Sequence, residues 1–526
     1  MIRTNRSRFL AWVVPVLFLA KAGVLAARII PLWDVIDETG HFAYARDLWS
    51  GGGLLRMVEA KVGSDIMSDL KQQPAAAIVN SAAHHPPLYH LLAGALWKAA
   101  TLFTEDPHIL FRAPRLVSPL LGALALFYIF KTIERIGLGP PTALAVSASV
   151  ASVPRFAWQA GGTNHDIMMA ALGAASTYYL VDFVMGRRLG SAWTSMMLMS
   201  FAAATKISGL VVLAPMAGVL ALEMSVADGW ARWAGKSVAL VATALVLPGI
   251  WMSRNLVLYG DPFATIEDVT GSMVLNEATP RMGLAAYLRT FPVVEEFFES
   301  LIGHLGWAGK MDGPQSWLDV LPPYRTIFEI VTVVFASVAL IWAARTLRLS
   351  MGRGAGEPEP QTALAALQAR MPAALRAVLV GAAAMVTLSI LVTAPPVFRA
   401  EQPSWLLVGA VSAILALGPI AVLALITPLD GPRRAVFYSL AVTVLFCVVL
   451  LEQSYSGYLM SGQTWRTVGR FFYVALGFMA LGFCVPALIT LGRSAERVAL
   501  SAAVVLCTAD AAFFLTSVVP HFAGSS

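Results

Sequence analysis

Long apolar runs separated by short polar segments make up most of the sequence. Several runs approach the roughly 20 residues that a helix needs to cross a bilayer. Lys and Arg follow many of them, as is typical of cytoplasmic loops. The pattern predicts an all-α polytopic membrane protein of about 13 transmembrane helices. The predicted spans are residues 9–31, 113–130, 142–158, 165–184, 191–205, 207–223, 237–253, 326–345, 374–393, 405–427, 435–452, 471–492 and 497–516.

The same charge pattern predicts two large external segments, residues 32–112 and 254–325. Residues 86–103 are an apolar stretch inside the first segment. We expect an interfacial or re-entrant helix there, because a crossing would invert every later span and move the basic loops outside. The alternative, that 86–103 does span the membrane, stays open from the sequence.

Three parts of the chain follow from this topology. Residues 1–345 form a membrane module that contains both external segments. Residues 346–373 are rich in Gly, Pro and charge, which favours a cytoplasmic linker loop. Residues 374–526 supply the C-terminal transmembrane helices. The first span is expected to remain in the protein rather than be removed as a signal.

Composition agrees with a membrane protein, since 58% of residues are hydrophobic and 13% are charged. The net charge is +6, and topology accounts for most of the basic residues without a nucleic-acid partner. The three cysteines lie in apolar runs, which favours buried side chains over a disulfide or a metal site. Lys21, within the first span, is interpreted as facing the bundle interior, with contact to a functional site as the alternative.

Two adjacent carboxylates, Asp37 and Glu38, follow directly on the first apolar run. They begin a predicted amphipathic helix, residues 37–50, that ends at three glycines. A carboxylate can act as a general base on a hydroxyl group, and Asp37 is our candidate. The alternative is that Asp34 or Asp37 only caps the helix, although a cap needs one carboxylate rather than a cluster.

A second acidic site, Asp166, lies at the expected outer start of span 165–184 and follows Asn164 and His165. Its spacing favours a helix cap and a member of a catalytic site about equally. A His next to an Asp near other carboxylates also makes a divalent metal possible. The spacing fixes no ligand set, so no metal ligands are predicted.

Several cations remain at the outer boundary, against the usual bias, and therefore need another explanation. As a set they favour a lipid phosphate, because Arg can bind phosphate with two parallel hydrogen bonds. Any one of them alone could equally snorkel or pair with a nearby carboxylate. These residues are Arg112, Arg115, Arg155, Lys206, Arg254, Lys310, Arg325, Arg466 and Arg470. His84 and His85 precede Pro86 and Pro87, a predicted helix start that suits an anion, or alternatively an ordinary interfacial loop.

Taken in order, these motifs resemble GT-C type membrane glycosyltransferases, namely the protein O-mannosyltransferase and lipid A aminoarabinose transferase group with its uncharacterised bacterial branch. The matching residues cover roughly the first half of the chain. Weaker motifs of the bacterial branch occur at 204–209, 253–262 and 469–472. The four principal matches are the Asp-Glu-Thr motif at 37–39 with His41, the His-Pro-Pro-Leu motif at 85–88, Arg115 before Leu-Val-Ser, and Asn164 with Asp166.

The resemblance implies a GT-C fold with juxtamembrane helices in the first external loop and a polyprenyl-phosphate-linked sugar as co-substrate. It assigns Asp37 as the base, with Glu38 or Asp166 orienting the acceptor or stabilising charge on the sugar. The expected phosphate-binding set also includes His41 and Asn164; its cations are Arg115, Lys206, Arg254, Arg470 and the imidazole of His85. Inversion at the anomeric carbon follows for a single displacement. The acceptor would be an envelope glycan, lipid or protein outside a bacterial inner membrane.

Two other classes stay open. An O-antigen polymerase or ligase-like enzyme also has many spans and external arginines, but requires no Asp-Glu pair after the first helix. A transporter for lipid-linked substrates would place ionisable groups in the middle of the membrane on broken helices. In this sequence they cluster at the outer rim, which favours the glycosyltransferase.

Overall fold

A computed structural model describes residues 5–69, 78–225, 229–264, 429–461 and 473–520, with isolated residues between 282 and 342. Within these ranges the protein is almost entirely helical, apart from a two-stranded antiparallel pair that joins Lys61 to Val79 and Val62 to Ile78. The predicted spans 326–345, 374–393 and 405–427 and the linker 346–373 lie mainly or wholly outside the described residues.

The helices alternate between long apolar rods and short segments near the ends of the rods. In chain order they are α1 (Asn5–Val24), α2 (Glu38–Trp49), α3 (Ser64–Asp69), α4 (Leu88–Ala100), α5 (Pro107–Arg112), α6 (Val117–Arg135), α7 (Pro140–Ala151), α8 (Pro154–Ala160), α9 (Asp166–Gly186), α10 (Leu189–Ala203), α11 (Leu210–Glu223), α12 (Trp230–Tyr259), α13 (Gly431–Ser461), α14 (Leu476–Met479), α15 (Val485–Leu491) and α16 (Ala495–Phe513). The strands are β1 (Lys61–Val62) and β2 (Ile78–Val79).

Six stretches in the described part of the chain are long and apolar enough to cross a membrane. They are Ser7–Ile29, Pro107–Arg135, Asp166–Gly186, Trp230–Tyr259, Tyr473–Leu491 and Ala495–Thr516. Each overlaps a predicted span, which confirms a helical polytopic membrane protein. The total of about 13 spans remains a prediction.

Two apolar stretches, residues 142–158 and 86–103, form shorter helices than their hydrophobic length alone suggests. Residues 142–158 are not one continuous helix, because Pro154 begins a new helix and the preceding Val153 is extended, as residues before proline prefer. Inside 86–103, α4 has 13 residues. At 1.5 Å per residue it reaches about 20 Å, short of the roughly 30 Å hydrocarbon core. Its length therefore fits the expected interfacial or re-entrant helix.

The centre of the bundle is α9, which packs against α6, α10 and α14. Small residues allow the closest approaches, since a side chain on Gly173 would overlap the main chain at Val474. The helix α1 packs along α6, and its Phe18 stacks on Phe156 of α8 with 5.1 Å between ring centroids. Lys21 pairs with Asp510 of α16 at 2.5 Å, so its role in the described structure is to join two helices.

Ion pairs between partly exposed arginines and largely buried carboxylates join helices at one end of the bundle. Glu223 accepts hydrogen bonds from Arg187, Arg434 and the Tyr438 hydroxyl, and Arg135 binds Asp182 at 2.7 Å. These basic residues belong to the loops predicted to be cytoplasmic. The 19 residues of α6 separate this end from Arg115 by about 28 Å at 1.5 Å per residue.

Candidate active site

The loop between α1 and α2 carries an exposed carboxylate on a strained backbone. Asp37 stands at the N-cap position of α2 with φ of 62°, in the left-handed region. Its side chain is exposed and makes no capping hydrogen bond. The cap interpretation of Asp37 is therefore not supported. Trp33 in the same loop also has a positive φ, of 70°, and such strain is concentrated at functional sites.

The neighbouring carboxylate, Glu38, is instead buried and fully engaged. Arg115 binds its two oxygens at 2.7 and 2.6 Å, and both side chains are at most 2% exposed. The main-chain amides of Trp33 and Thr163 donate to the same carboxylate at 3.0 and 2.9 Å. Four hydrogen bonds fix Glu38 and occupy both of its buried oxygens, so an acceptor does not reach them.

Arg115 has no N–H group to spare in this arrangement. Besides its two bonds to Glu38, it donates to the carbonyl oxygens of Ala26, Ile30 and Pro31. A guanidinium group has five donors, and these contacts use all five. The geometry therefore differs from the sequence-based assignment of Arg115 to a lipid phosphate. Arg115 instead anchors the end of the first span and the start of α2.

The second acidic motif lies at the start of α9 and is also buried. Asp166 pairs with Lys206 at 2.8 Å, while its amide donates to the side-chain oxygen of Asn164 at 2.8 Å. The amide of Asn164 in turn donates to the Tyr89 hydroxyl at 2.8 Å. Asn164 thus supports the first turn of α9. The Asp166 carboxylate binds Lys206, which lies between α10 and α11.

Four histidines meet between these two motifs. The ring nitrogens of His41 lie 3.0 Å from Nε2 of His90 on one side and 3.0 Å from Nδ1 of His165 on the other. The ring of His85 lies 4.4 Å from that of His165 between centroids, and is only partly buried. Desolvation by burial holds the pKa of His85, His90 and His165 well below the ordinary value. Lys206 adds to this at His85 and His165.

Arg254 and Tyr44 border the histidines. The Tyr44 hydroxyl donates to the His85 carbonyl at 3.3 Å, and its ring lies 4.5 Å from that of His90. Burial raises the pKa of Tyr44, an effect that Arg254 partly opposes. Arg254 is half-buried over Trp251 and donates to the Leu55 carbonyl at 2.7 Å. This contact brings the end of α12 to the first external loop.

The structure brings the predicted site residues together around the starts of α2, α4 and α9. Arg254 reaches the same region from α12. Of the predicted set, Arg470 lies outside the described residues. The residues that converge are Asp37, Glu38, His41, His85, Arg115, Asn164, Asp166 and Lys206.

Sequence reasoning missed His90, Tyr44 and Tyr89 as members of this region. His90 could have been noticed as a histidine within the apolar helix α4, because a buried polar side chain needs a polar partner. Nothing in the spacing distinguishes Tyr44 or Tyr89 from ordinary aromatic packing residues. His41, His90 and His165 each offer one nitrogen within 4.8 Å of the others, so these residues could hold a metal ion.

The arrangement offers three chemical functions in one place. Asp37 supplies an accessible carboxylate for proton transfer. Lys206, Arg254 and the imidazole N–H groups supply donors for an anion. The buried Glu38–Arg115 pair and the Asn164–Tyr89 contact hold the supporting loops in position.

A known protein family matches the part of the chain that holds most of these residues. Residues 84–252 match the family model described as dolichyl-phosphate-mannose-protein mannosyltransferase, which is of the GT-C type. The matched range includes His85, Arg115, Asp166 and Lys206. No curated protein sequence matches the chain.

Two solved structures are similar to this chain. One is ArnT from Cupriavidus metallidurans in the apo state, 17% identical, with 96% of this chain and 76% of that chain covered and a TM-score of 0.38. The other is ArnT from the same organism bound to undecaprenyl phosphate, 15% identical, with 91% and 79% covered and a TM-score of 0.37. The match of residues 84–252 to the mannosyltransferase family confirms the resemblance to GT-C type membrane glycosyltransferases that the sequence motifs indicate.

Proposed function

We propose that this protein is an inverting glycosyltransferase. It moves a sugar from a polyprenyl-phosphate-linked donor to an acceptor outside the cytoplasm. The observation that carries the proposal is the contrast between adjacent carboxylates, since Asp37 is exposed on a strained backbone while Glu38 is fixed by Arg115. This contrast occurs beside a region that matches the mannosyltransferase family.

Asp37 is the general base that takes the proton of the acceptor hydroxyl. Its exposure leaves it accessible to an acceptor, and the hydrogen bond from the His41 amide to the Asp37 carbonyl, at 3.0 Å, ties it to the first turn of α2. Glu38 and Arg115 act as positioning residues. They bind each other and the main chain of the adjoining loops, and these bonds hold the turn that carries Asp37.

The departing lipid phosphate is held by Arg254, Lys206 and His85. Arg254 and His85 are partly exposed. Lys206 forms an ion pair with Asp166, which keeps Asp166 close to Arg254 and His85. Cations and N–H groups stabilise the charge that develops on the phosphate as the glycosidic bond breaks. A phosphate held in this way is a good leaving group without a strong acid. Arg115 does not bind the phosphate in this proposal, because all five of its N–H groups already contact protein acceptors.

A single displacement by the acceptor oxygen inverts the anomeric carbon, whereas retention would require a covalent sugar–enzyme intermediate. A site with one accessible carboxylate favours the single displacement. The acceptor's proton goes to Asp37, the new C–O bond forms as the old bond to phosphate oxygen breaks, and the lipid phosphate leaves with the electron pair.

The site lies outside the cytoplasm in this proposal. Support comes from the bundle itself, because the basic residues Arg135, Arg187 and Arg434 gather at the end opposite Glu38 and Arg115. Positive charge favours the cytoplasmic side. The localisation that follows is a bacterial inner membrane with the site on its periplasmic face.

The direct test incubates purified protein with a panel of labelled polyprenyl-phosphate sugars and an envelope fraction as the source of acceptor. We expect release of lipid phosphate together with a labelled product whose anomeric configuration is inverted. Transfer of intact glycan from a lipid pyrophosphate would instead indicate the polymerase or ligase-like class. Movement of the labelled lipid across a vesicle bilayer without a new glycosidic bond would indicate a transporter. Either result would overturn the proposal.

A further inference from the structure

We propose that His41, His90 and His165 bind one divalent transition-metal ion of the zinc class. The three residues come from α2, α4 and the start of α9, which are separate in sequence and adjacent in space. The inference does not rest on the glycosyl-transfer proposal, because a metal at this place is measurable without any sugar substrate.

The nitrogens are spaced almost as a metal site requires. His41 contacts His90 through Nδ1 and His165 through Nε2, each at 3.0 Å, and one ligand atom from each of the three residues lies within 4.8 Å of the others. With Zn–N bonds of roughly 2.0–2.1 Å, tetrahedral ligand nitrogens lie about 3.3 Å apart. Because one imidazole ring gives an ion only one nitrogen, the His41 ring would turn so that a single nitrogen faces the ion together with one nitrogen each from His90 and His165.

The donor set selects the kind of ion. Imidazole nitrogen suits zinc and its neighbours in the transition series, whereas calcium and magnesium prefer oxygen. All three side chains are at most 2% exposed. The surrounding protein would therefore hold the three rings in place.

A carboxylate stands in the position of an outer partner. Oδ1 of Asp166, which binds Lys206 at 2.8 Å, lies 3.7 Å from Nε2 of His165, beyond hydrogen-bond distance, while Nδ1 of the same ring faces His41. Metal-bound histidines commonly direct their second nitrogen at a carboxylate, which orients the ring. His165 would thus bind the metal through Nδ1, with Asp166 behind it.

Three histidine ligands leave a fourth coordination position for water or an anion. His85, with its ring 4.4 Å from that of His165, lies beside the cluster and is partly exposed. The ion would cross-link α2, α4 and α9 immediately behind Asp37. The alternative is a metal-free chain of hydrogen-bonded imidazoles, which the experiment distinguishes.

The test uses full-length protein purified in detergent through a tag without histidines. Metal content is measured by mass spectrometry after dialysis against zinc and removal of free ion. We expect one zinc per chain in the parent protein and in the controls His84→Gln and His108→Gln. His90→Gln and His165→Gln should lose it, and Asp166→Asn should weaken zinc binding by about 10- to 100-fold.

A second measurement avoids the risk that the variants misfold. Chelator-treated wild-type protein is titrated with Co²⁺, whose visible absorption becomes intense in a tetrahedral site. We expect saturation at one Co²⁺ per chain and displacement by zinc. If wild-type protein retains no zinc and gives no such Co²⁺ spectrum, the cluster is a hydrogen-bonded imidazole chain and the proposal is overturned. Zinc binding without sugar transfer would contradict only the proposed function.

Discussion

At the scale of residues, Asp37 and Glu38 show how one peptide bond separates two environments. Glu38 points inward and meets a guanidinium group and two amides, whereas Asp37 remains exposed at a left-handed backbone position. The sequence identified this acidic pair as the functional stretch. It could not assign the roles, because the partner of Glu38 lies 77 positions away and only folding brings it near.

Breaking the Glu38–Arg115 pair should destabilise the protein. Glu38→Gln or Arg115→Gln leaves a buried charge without its partner, which costs about 3–5 kcal/mol. The matched control is Arg46→Gln, which removes an exposed pair with Asp65 and should cost about 1 kcal/mol or less. Thermal unfolding in detergent measures the difference. Equal effects for the buried and the exposed pair would show that Arg115 is not an anchor.

Stability should fall in mild acid because of His90 and His165. Burial lowers the pKa of both below the ordinary value of 6.5, so below pH 6.5 the unfolded chain binds more protons than the folded chain. The free energy of unfolding then drops by up to about 1.4 kcal/mol per group and pH unit. Melting temperatures of chelator-treated protein between pH 7.5 and 5.5 measure it.

The pH dependence has its own control. His108→Gln removes an exposed histidine and should leave the slope of stability against pH unchanged. His90→Gln should flatten the slope, even if its stability at pH 7.5 is lower. An unaltered slope in His90→Gln would contradict the assignment of a low pKa to this residue.

At the scale of elements, hydrophobic runs predicted most long helices but not their interruptions. The predicted helix 37–50 is confirmed as α2, and the first span matches Ser7–Ile29. Residues 142–158 form two helices in place of one, because Pro154 outweighs the continuous hydrophobicity. The sequence left open whether residues 86–103 cross the membrane, and the 13 residues of α4 are fewer than a crossing helix needs.

The contact between α2 and α4 depends on Gly94. A side chain there would overlap the Ala45 carbonyl and the Trp49 ring, so Gly94→Ala should push the helices apart and separate His41 from His90. We expect a loss of about 1–3 kcal/mol in stability, as for other overpacked sites, and reduced activity.

Gly235→Ala is the matched control, since a Cβ added to Gly235 in α12 would meet no heavy atom within 4 Å. It should be neutral or slightly stabilising, because alanine favours a helix over glycine. Melting temperature and transfer rate are measured for both variants. If Gly94→Ala behaves like Gly235→Ala, the two helices are not in close contact.

At the scale of the whole molecule, ionic groups divide between two ends of the bundle. The end with Glu38, Asp166 and the histidines holds the candidate site, and the other end holds the pairs around Glu223 and Asp182. The positions of Lys and Arg in the sequence predicted this division, because positively charged loops stay in the cytoplasm during membrane insertion. It gave no account of the buried partners, which depend on which helices pack together.

Site-directed labelling tests the predicted orientation. In a variant without Cys447, Cys484 and Cys507, an impermeant maleimide should label Glu59→Cys in intact spheroplasts. Arg188→Cys, at the opposite end and also exposed, should react only after permeabilisation. The reverse pattern would place the candidate site in the cytoplasm.

The decisive measurement compares Asp37→Asn with Asp47→Asn, a matched substitution at a half-buried position of the same helix. Single-turnover release of lipid phosphate from a labelled polyprenyl-phosphate sugar, with acceptor present, is followed together with donor binding. Asp37→Asn should bind donor normally and lose about 10²- to 10⁴-fold in rate, while Asp47→Asn keeps the wild-type rate. Full turnover by Asp37→Asn would contradict the assignment of Asp37 as the base that drives transfer.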